Sequence, residues 1–513
     1  MDVPAPTPAL QNPPPSPAPA PASPPAPALR ELKDLPGPPT LPLVGNLLQI
    51  QRPRLHQNIE AWGREFGPFF RLKLAARTLL VVSDHEAISS ALRDRPDGFR
   101  RTRLLEKIGL EMGVLPGVFA ANGEAWRRQR RMVMAGFDPT HVKAYFPSLL
   151  KVTQRLRGRW QRAVRDSRSI ELQPELMRFT VDAIAGLAFG VDINTLESDD
   201  DIIQKHLDKI FPALFKRLFS LVPTWRFIRL PADRRLERSV AAVNTAIDGF
   251  ITQARARLQA DPARRAHPPN LLESMIVAAD EVGSDVTDRE VAGNVMTMLL
   301  AGEDTTANTL AWMIYLLHRH PEVLQRAQQE VRTLAADSSV FTPEQMASLH
   351  FLEACAHETM RLKPVAPFQV IEALRDSVVG GIRVPAGTGV WCMMRGDSVT
   401  ERHFPNPQAF EPQRWLNDAD GGAAGGTANG AAGVAIPNQA ASSSKRVSMP
   451  FGAGPRVCPG RFLAVLEIKM AMAMLLAHFD ITEVTTPDGG EAVEQMAFTM
   501  MPVGLKMTLR ERP

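Results

Sequence analysis

The sequence is poor in cysteine, with only Cys355, Cys392 and Cys458 in 513 residues. Such a sparse and odd number argues against a disulfide scaffold and is typical of a reduced, intracellular protein. No C-x-x-C-H pattern occurs, so covalent attachment of a c-type haem is not supported. Cys355 lies in a helical pattern and Cys392 in a strand-like run, and we expect both to be plain core residues.

The chain also lacks a long apolar run near its start and a strong excess of charge. Residues 1–28 are Pro/Ala repeats, without the ~20 consecutive apolar residues of a membrane span and without the pattern of a signal peptide. Such repeats are extended and solvated. The net charge is only +4, and without interleaved aromatic and basic residues we expect no nucleic-acid partner.

Hydrophobic residues, in contrast, make up 44% of the chain, enough for a large core. Most of the periodic stretches are helical. The longest runs from about Thr287 to His320, where Thr287 and Glu290 fit a capping box and Pro321 marks the end. Shorter alternating or apolar runs at 68–74 and 78–82 predict a hairpin of a small β-sheet.

One ten-residue stretch, residues 451–460, reads F-G-A-G-P-R-V-C-P-G. Its first two glycines permit tight turns and a close approach of the backbone to a flat ligand. Arg456 offers a forked donor to a carboxylate. Cys458 is a soft ligand, and a thiolate can be the proximal ligand of a haem iron. Gly460 removes a side chain where the loop becomes a helix. The alternative is that Cys458 is one more small buried residue.

This stretch fits F-x-x-G-x-R-x-C-x-G in full and resembles the haem-binding loop of the cytochrome P-450 superfamily, the haem-thiolate monooxygenases. The resemblance covers about residues 36–513. It implies the P-450 fold, mainly α with a small β-sheet subdomain (α+β), with haem b held between the I and L helices. It also implies that Cys458 binds the iron and that Phe451, Arg456 and Gly460 lie around the cofactor.

Inside the long helical pattern, residues 301–306 read A-G-E-D-T-T and match A-G-x-[DE]-T of the family's I helix. The charges in this apolar stretch argue against a membrane-spanning helix. The resemblance implies that Asp304 and Thr305 form an acid–alcohol pair that orders water and relays protons, with Ala301 beside the cofactor. Gly302 would leave room for oxygen or substrate. The alternative is a polar pair on an exposed helix face.

Trp126 and Arg130 lie four residues apart in a helical pattern and therefore share a face. The family uses W-x-x-x-R on its C helix to bond a haem propionate, and both side chains are donors. The alternative is a solvated basic face. We expect that of Arg127, Arg128 and Arg131, which can also form a cationic patch for an acidic redox partner.

Glu358 and Arg361 lie three residues apart in a helical run that starts near Leu349. With Arg414, they match the Glu–Arg–Arg cluster of the family, in which buried charges must be mutually paired. We expect these three to brace the cysteine loop and to take no part in the chemistry.

The sequence departs from the family pattern at one place. Many members carry a basic residue on the strand after the K helix, about five positions before an acidic one. Ile371 and Glu372 occupy that place here, before Asp376. One propionate contact is therefore missing or replaced.

The implied reaction inserts one oxygen atom from O2 into an organic substrate by hydroxylation or epoxidation. The segments expected around the pocket are largely apolar, which suggests a lipophilic substrate; they are residues 97–120, 210–228, 293–305, 365–373 and 497–503. Arg100, Arg101 and Arg103 either grip a carboxylate or lie in a solvated loop. Residues 210–228 form a pocket roof, a membrane-surface contact or an ordinary core helix with its loop.

We expect electrons to come from a separate protein, because the 513 residues contain no flavin or iron–sulfur module. We expect a separate ferredoxin or flavodoxin with its reductase, docked near the basic patch and near Lys445 and Arg461.

Two other functions compete with a monooxygenase. A peroxide-using or isomerase-type relative would tend to lose the acid–alcohol pair. A non-catalytic haem sensor would need neither proton relay nor pocket.

The expected organisation is a Pro/Ala-rich disordered tail at residues 1–35 and a haem domain at 36–513. A flexible Gly/Ala-rich insertion interrupts the domain at about 417–444. We expect a soluble, bacterial-type monomer without a transmembrane anchor. Its location would be cytoplasmic, with peripheral contact at the membrane surface as an alternative.

Overall fold

The computed structural model describes residues 28–137, 143–198, 203–220, 222–420 and 444–512. Helices account for most of this part of the chain, as expected from its periodicity. In chain order they are α1 (Leu55–Phe66), α2 (His85–Arg93), α3 (Arg103–Glu111), α4 (Gly123–Gly136), α5 (Phe146–Arg165), α6 (Leu172–Phe189), α7 (Gln204–Leu207), α8 (Ile210–Leu218), α9 (Pro231–Ala260), α10 (Pro262–Ala266), α11 (Leu271–Ala279), α12 (Asp288–Arg319), α13 (Pro321–Leu334), α14 (Pro343–Ser348), α15 (His350–Leu362), α16 (Gln413–Asp420), α17 (Ser444–Ser448) and α18 (Arg461–His478).

The strands are short. They are β1 (Arg30–Glu31), β2 (Phe69–Leu74), β3 (Arg77–Val82), β4 (Phe99–Arg101), β5 (Ile170–Glu171), β6 (Phe368–Ala373), β7 (Ser377–Val379), β8 (Ile382–Val384), β9 (Gly389–Met393), β10 (Phe479–Thr485), β11 (Glu494–Met496), β12 (Met500–Pro502) and β13 (Lys506–Glu511). The largest sheet among the described residues has the order β2-β3-β9-β6-β4. Its antiparallel β2–β3 pair is the predicted hairpin, and the mainly α fold with small sheets is confirmed.

The central helix α12 organises the core. Its predicted capping box is present: the Glu290 N–H donates to Thr287 Oγ1 at 3.2 Å, and the Thr287 N–H donates to Glu290 Oε2 at 3.0 Å. At 1.5 Å rise per residue it is about 50 Å long, and it packs against α6, α9, α15 and α18. Most of its side chains are buried, so the polar residues in its middle face protein or a cavity.

The folded region begins earlier than the sequence predicts. Arg30 pairs with Ile382 in a parallel bridge between β1 and β8, and Leu35 is only 2% exposed. The predicted boundary of the tail at residue 35 is therefore a few residues too late. Residues 1–27 and residues 421–443, which make up most of the insertion expected at about 417–444, lie outside the described residues. In the part of the chain that the structure covers, no helix combines the length and the apolar character of a membrane span.

Candidate active site

The cysteine loop, residues 451–460, connects a short turn to the start of α18. The Cys458 N–H donates to the Phe451 carbonyl at 3.0 Å and closes the loop. A 3-10 helix, Gly454–Arg456, fills its middle. As a whole residue, Cys458 is half-buried, whereas Cys355 and Cys392 are fully buried in the core. Of the three cysteines, Cys458 is therefore the least enclosed by protein.

Two glycines of the loop have the positive φ angles that favour glycine, +75° for Gly452 and +70° for Gly454. A Cβ atom on Gly454 would lie 2.5 Å from the Leu92 carbonyl oxygen of α2. Both the positive φ and the close approach to α2 therefore require a glycine at position 454. A Cβ atom on Gly460 would lie 3.7 Å from Phe137, which is an ordinary contact, so packing does not require that glycine.

Helix α4, which carries the W-x-x-x-R pattern, holds the loop from one side. Arg130 Nη2 donates to the Val457 carbonyl at 2.8 Å. The buried ring of Trp126 lies under the Arg456 guanidinium, with 4.7 Å between the Arg456 Cζ atom and the ring centroid. The structure therefore brings Trp126, Arg130, Arg456 and Cys458 together.

The electrostatics of the thiol depend on its neighbours. Burial raises the pKa of Cys458, while the Gly460 N–H and the charges of Arg130 and Arg461 oppose that shift. A buried thiolate needs a cation to be stable, and a coordinating metal ion deprotonates a thiol outright. The residues around Cys458 are therefore suited to a ligand that brings its own positive charge to the sulfur.

Three buried guanidinium groups lie next to the loop, and they form what we call the arginine cluster: Arg95, Arg101 and Arg456. Burial lowers the pKa of Arg95 to about 10. Burial, together with the charges of Arg95 and Arg130, lowers the pKa of Arg456 to about 9. The pKa of Arg101 is lowered by burial and by repulsion from Arg95 and Arg456. Clustered cations are stable only when an anion joins them.

The arginine cluster also has free donors. Arg95 Nη1, Arg101 Nε and Arg456 Nε are buried without a hydrogen-bond partner among the described residues. Unsatisfied buried donors are rare and indicate a missing partner. A flat cofactor with two carboxylates and a metal for Cys458 satisfies both the cluster and the thiol. Haem b is such a cofactor, with two carboxylates and an iron ion, so the residues around Cys458 fit it.

Strand pairing explains how Arg101 reaches the cluster. In the antiparallel β4–β6 pair, Arg101 lies directly opposite Ile371, the position where the sequence lacks the family's basic residue. Directly opposite residues point to the same face of a sheet. The carboxylate of Glu372 already has a partner in Arg100, whose Nε donates to Glu372 Oε1 at 3.2 Å. For Arg101 the sequence left open a carboxylate contact or a solvated loop, and it did not single out Arg95; no spacing pattern in the sequence marks either one.

The acid–alcohol pair lies in the middle of α12. The Thr305 hydroxyl donates to the Ala301 carbonyl at 2.7 Å, and Ala301 is exposed although it belongs to the central helix. One Asp304 oxygen accepts a hydrogen bond from Asn308 Nδ2 at 2.7 Å, and the other accepts one from the Thr499 hydroxyl. Burial raises the pKa of Asp304, and these two bonds partly offset it. The bond from Thr499 was not predicted.

Gly302 does not leave space for oxygen or substrate as expected. A Cβ atom there would lie 3.1 Å from Ile184 Cγ1, on α6. This glycine therefore allows α12 and α6 to pack closely, which is a structural role.

Aromatic side chains from three of the expected pocket segments meet. The ring of Phe498 stacks on that of Phe211 at 4.5 Å, and it meets Phe119 edge to face at 6.0 Å. Phe498 has a φ of +98°, a strained value for a residue with a side chain. The turn at residues 497–499 therefore places Phe498 in the aromatic cluster and Thr499 on Asp304.

The predicted Glu–Arg–Arg cluster is present around Glu358, with Glu358 and Arg361 fully buried and Arg414 10% exposed. This carboxylate accepts bonds from Arg361 Nη2 at 2.7 Å, Arg414 Nε at 3.1 Å and Trp415 Nε1 at 2.8 Å. Arg361 in turn donates to the Ser398 carbonyl at 2.7 Å. The cluster ties α15 to the segment that precedes the cysteine loop.

A separate cavity of about 450 Å³ lies near the C-terminal end of α12 and is lined by Tyr315, Lys363, Arg395 and Glu494 among others. Its charged groups already pair with each other, as Arg395 Nη1 does with Glu494 Oε1 at 2.9 Å. None of the site residues above lines it, and we do not place the active site there.

Comparison with known proteins agrees with this geometry. The sequence profile of the cytochrome P450 family matches residues 35–509. The chain is 27% identical to cytochrome P450 97B2 of Glycine max, over 84% of this chain and 79% of that protein. It is 27% identical to cytochrome P450 4X1 of Homo sapiens, over 88% and 86% respectively.

A relative of a different length is the self-sufficient cytochrome P450 monooxygenase CYP505E5 of Aspergillus kawachii, 27% identical over 88% of this chain but only 41% of that protein. Among solved structures, a mutant of the cytochrome P450DA heme domain has a TM-score of 0.77 and 25% identity, covering 93% of this chain and 98% of that one.

Proposed function

This chain belongs to the cytochrome P450 family, which makes it a haem-dependent monooxygenase, and we propose that it hydroxylates or epoxidises a lipophilic substrate. The observation that carries the proposed site is the convergence of Cys458 with an arginine cluster that has no carboxylate partner among the described residues. In this proposal Cys458 is the iron ligand. The arginine cluster, with Trp126 and Arg130, binds the propionates.

The bound haem would supply the oxygen-activating chemistry, and the chain's own residues tune and serve it. Pro459 has no N–H to offer the sulfur, whereas the Gly460 N–H is close enough to lower the pKa of Cys458. Hydrogen bonds to the ligating sulfur are one of the means by which a protein sets the properties of a haem. Gly460 therefore influences the Cys458 sulfur through its backbone N–H.

Asp304 and Thr305 would manage protons on the substrate side. Burial raises the pKa of Asp304, and a raised pKa suits a carboxyl to general acid–base proton transfer. Thr499 and Asn308 hold both of its oxygens, so Asp304 must release Thr499 before it faces the pocket. Because Thr499 follows Phe498 in the pocket turn, a substrate that displaces the aromatic ring would also free Asp304.

Replacing Thr305 with alanine should uncouple electron consumption from product formation. One net hydrogen bond of about 1 kcal/mol corresponds to a roughly fivefold change, and we expect product per reducing equivalent to fall by about that factor. Measuring reductant consumed, product and peroxide released gives the ratio. Thr309→Ala is the matched control, because Thr309 makes the same bond to the carbonyl four residues earlier, at 2.8 Å. Unchanged coupling in Thr305→Ala would contradict the assignment.

Replacing Arg101 with glutamine should weaken haem retention. A hydrogen bond to a charged group is worth about 1.5–3 kcal/mol, so we expect haem to be lost roughly 10- to 150-fold faster to an apo-globin acceptor. Arg103→Gln is the matched control, because Arg103 is the exposed first residue of α3. Equal rates of haem loss in the two variants would show that Arg101 does not bind the cofactor.

The lipophilic substrate is supported by the meeting of Phe119, Phe211 and Phe498. The test is titration of the holoprotein with fatty acids, terpenoids, steroids and polyketides, followed by the haem absorption spectrum and by product analysis with a reductant. Binding only of polar compounds would refute this substrate class.

Electrons would come from a ferredoxin or flavodoxin that docks beside α18. Phe462 is 59% exposed next to Arg461, and Lys445 is exposed. In contrast, Arg127 pairs with Asp97 and Glu124, and Arg128 pairs with Glu290. These ion pairs reduce the contribution expected of the two arginines, so docking should depend more on Arg461 and Lys445.

We also propose a cytoplasmic protein that contacts a membrane surface through the segment around residue 227. Phe227 and Ile228 are 79% and 62% exposed, and Arg229 lies beside them. Exposed apolar side chains with adjacent cations are typical of interfacial contacts. Co-sedimentation with anionic vesicles, lost in Phe227→Ser with Ile228→Ser, would support it; no sedimentation of the parent would refute it.

A further inference from the structure

Three metal-ligating side chains meet outside the haem site, where α2 begins beside the loop that follows β9. His85 is the first residue of α2, Asp397 opens the 3-10 helix Asp397–Val399, and His403 lies further along that loop. One ligand atom from each lies within 4.8 Å of those of the other two. We call this group the His–Asp–His cluster. No other group of three such side chains comes this close within the described ranges.

The distances within the cluster are near those of a metal site. Asp397 Oδ2 lies 2.9 Å from His85 Nδ1 and 3.5 Å from His403 Nε2. In a tetrahedral zinc site with bonds of about 2.0–2.1 Å, adjacent ligand atoms lie about 3.3 Å apart. The two imidazole rings meet edge to face, with centroids 4.7 Å apart at 79°. Small side-chain movements would therefore bring all three atoms around one ion.

Hydrogen bonding among these residues leaves the cluster unsatisfied. The side chains of His85, Asp397 and His403 are only 7%, 12% and 9% exposed. His403 Nε2 is buried without a hydrogen-bond partner among the described residues, since 3.5 Å from the carboxylate is too long for a good bond. Leaving a buried polar atom unpaired costs free energy. A bound metal ion would supply the missing partner.

The carboxylate is held in place for such a role. Asp397 Oδ2 also accepts the backbone N–H of His85 at 2.9 Å, and outer contacts of this kind orient metal ligands. The nearby Arg402 lies 3.9 Å from Asp84 Oδ2, and Asp84 caps α2 through the Ala87 N–H at 2.8 Å. In the described structure, the ion-pair partners of Asp397 are the two histidines.

We propose that the His–Asp–His cluster binds one divalent metal ion of the borderline class, zinc in the first instance, in a structural role. Two imidazoles and one carboxylate form a ligand set that zinc accepts, with water in the fourth position. The ion would fasten the loop after β9 to the start of α2. The far end of α2 packs against the cysteine loop, where the Leu92 carbonyl faces Gly454. The ion therefore stabilises the wall of the haem site without touching the haem.

The test uses the untagged, haem-loaded full chain. After chelator treatment, the protein receives a small excess of zinc sulfate, is desalted, and is analysed for zinc and iron. We expect about one retained zinc per chain, a higher midpoint of thermal unfolding, and a zinc-edge X-ray absorption shell of nitrogen and oxygen at about 2.0–2.1 Å. No retained zinc, or a shell without imidazole, overturns the proposal.

His403→Gln keeps a polar side chain but removes the ring ligand, and we expect it to lose the retained zinc and the zinc-dependent shift in unfolding. His267→Gln is the matched control, because His267 is exposed and does not belong to the His–Asp–His cluster. Zinc retention by His403→Gln equal to that of the parent overturns the site. Should this variant fail to fold, the X-ray absorption of the parent decides alone. The haem spectrum reports separately on the proposed function.

Discussion

Replacing Cys458 with serine is expected to abolish monooxygenase activity and to remove the thiolate-type spectrum of the reduced, carbon-monoxide-bound protein. Losing an outer partner of a metal ligand typically costs about 10–100-fold, so loss of the ligand itself should exceed that range. The reason is electronic: an axial thiolate pushes electron density onto the iron and favours O–O cleavage, and a serine hydroxyl does not. The fold should persist, because Cys458 is only half-buried.

The experiment compares haem content, carbonyl spectrum and turnover of Cys458→Ser with those of two controls. Cys355→Ala and Cys392→Ala each remove a fully buried thiol of the core, and both should keep the thiolate spectrum if they fold. A thiolate-type spectrum in Cys458→Ser would disprove the ligand assignment. Haem loss in all three variants would point to a general effect on stability, and circular dichroism would detect that.

Replacing Glu358 with glutamine should destabilise the protein by about 3–5 kcal/mol, the cost of breaking a buried ion pair by removing one partner. Glu358 is 0% exposed and pairs with Arg361, which is also 0% exposed, and with Arg414. The glutamine keeps the shape but leaves the buried Arg361 guanidinium without its carboxylate partner, whereas Arg414 keeps its ion pair with Glu411 at 2.7 Å. Since Arg361 also donates to the Ser398 carbonyl, the segment leading to the cysteine loop should loosen and haem should be retained poorly.

Urea unfolding followed by circular dichroism and by the haem band measures both effects. Glu281→Gln is the control, because Glu281 lies exposed in a turn, where substitutions usually change stability by less than about 0.5 kcal/mol. A Glu358→Gln protein whose free energy of unfolding stays within that margin of the parent would rule out a bracing role for this carboxylate.

Site residues that belong to a short sequence pattern could be predicted. Cys458, the loop glycines and the Trp126–Arg130 pair belong to contiguous or helix-spaced patterns, and the structure brings them together. Gly302 shows the limit of such patterns. The sequence shows that this position has no side chain. Only the packing shows that α6 lies against it, with an atom of α6 3.1 Å from where a Cβ atom on Gly302 would be.

Other features arise from pairing between distant segments. Arg101 stands opposite Ile371 because of the β4–β6 register, and Thr499 reaches Asp304 because the pocket turn passes over the central helix. His85 and Asp397 are 312 positions apart. Sequence periodicity reports on neighbours within about one turn of a helix or along one strand, so none of these contacts leaves a local pattern.

The sequence by itself determined the family and the mainly α fold, and it led to Cys458 as the proposed iron ligand and to Asp304 and Thr305 as the proposed acid–alcohol pair, because each depends on residue type and short spacing. Only the tertiary structure decided which buried charges share a site. It gathered Arg95, Arg101 and Arg456 without a carboxylate partner among the described residues, and it placed Asp397 between two histidines. The physical reason is that burial and distance set the cost of a charge, and both quantities exist only once the chain is folded.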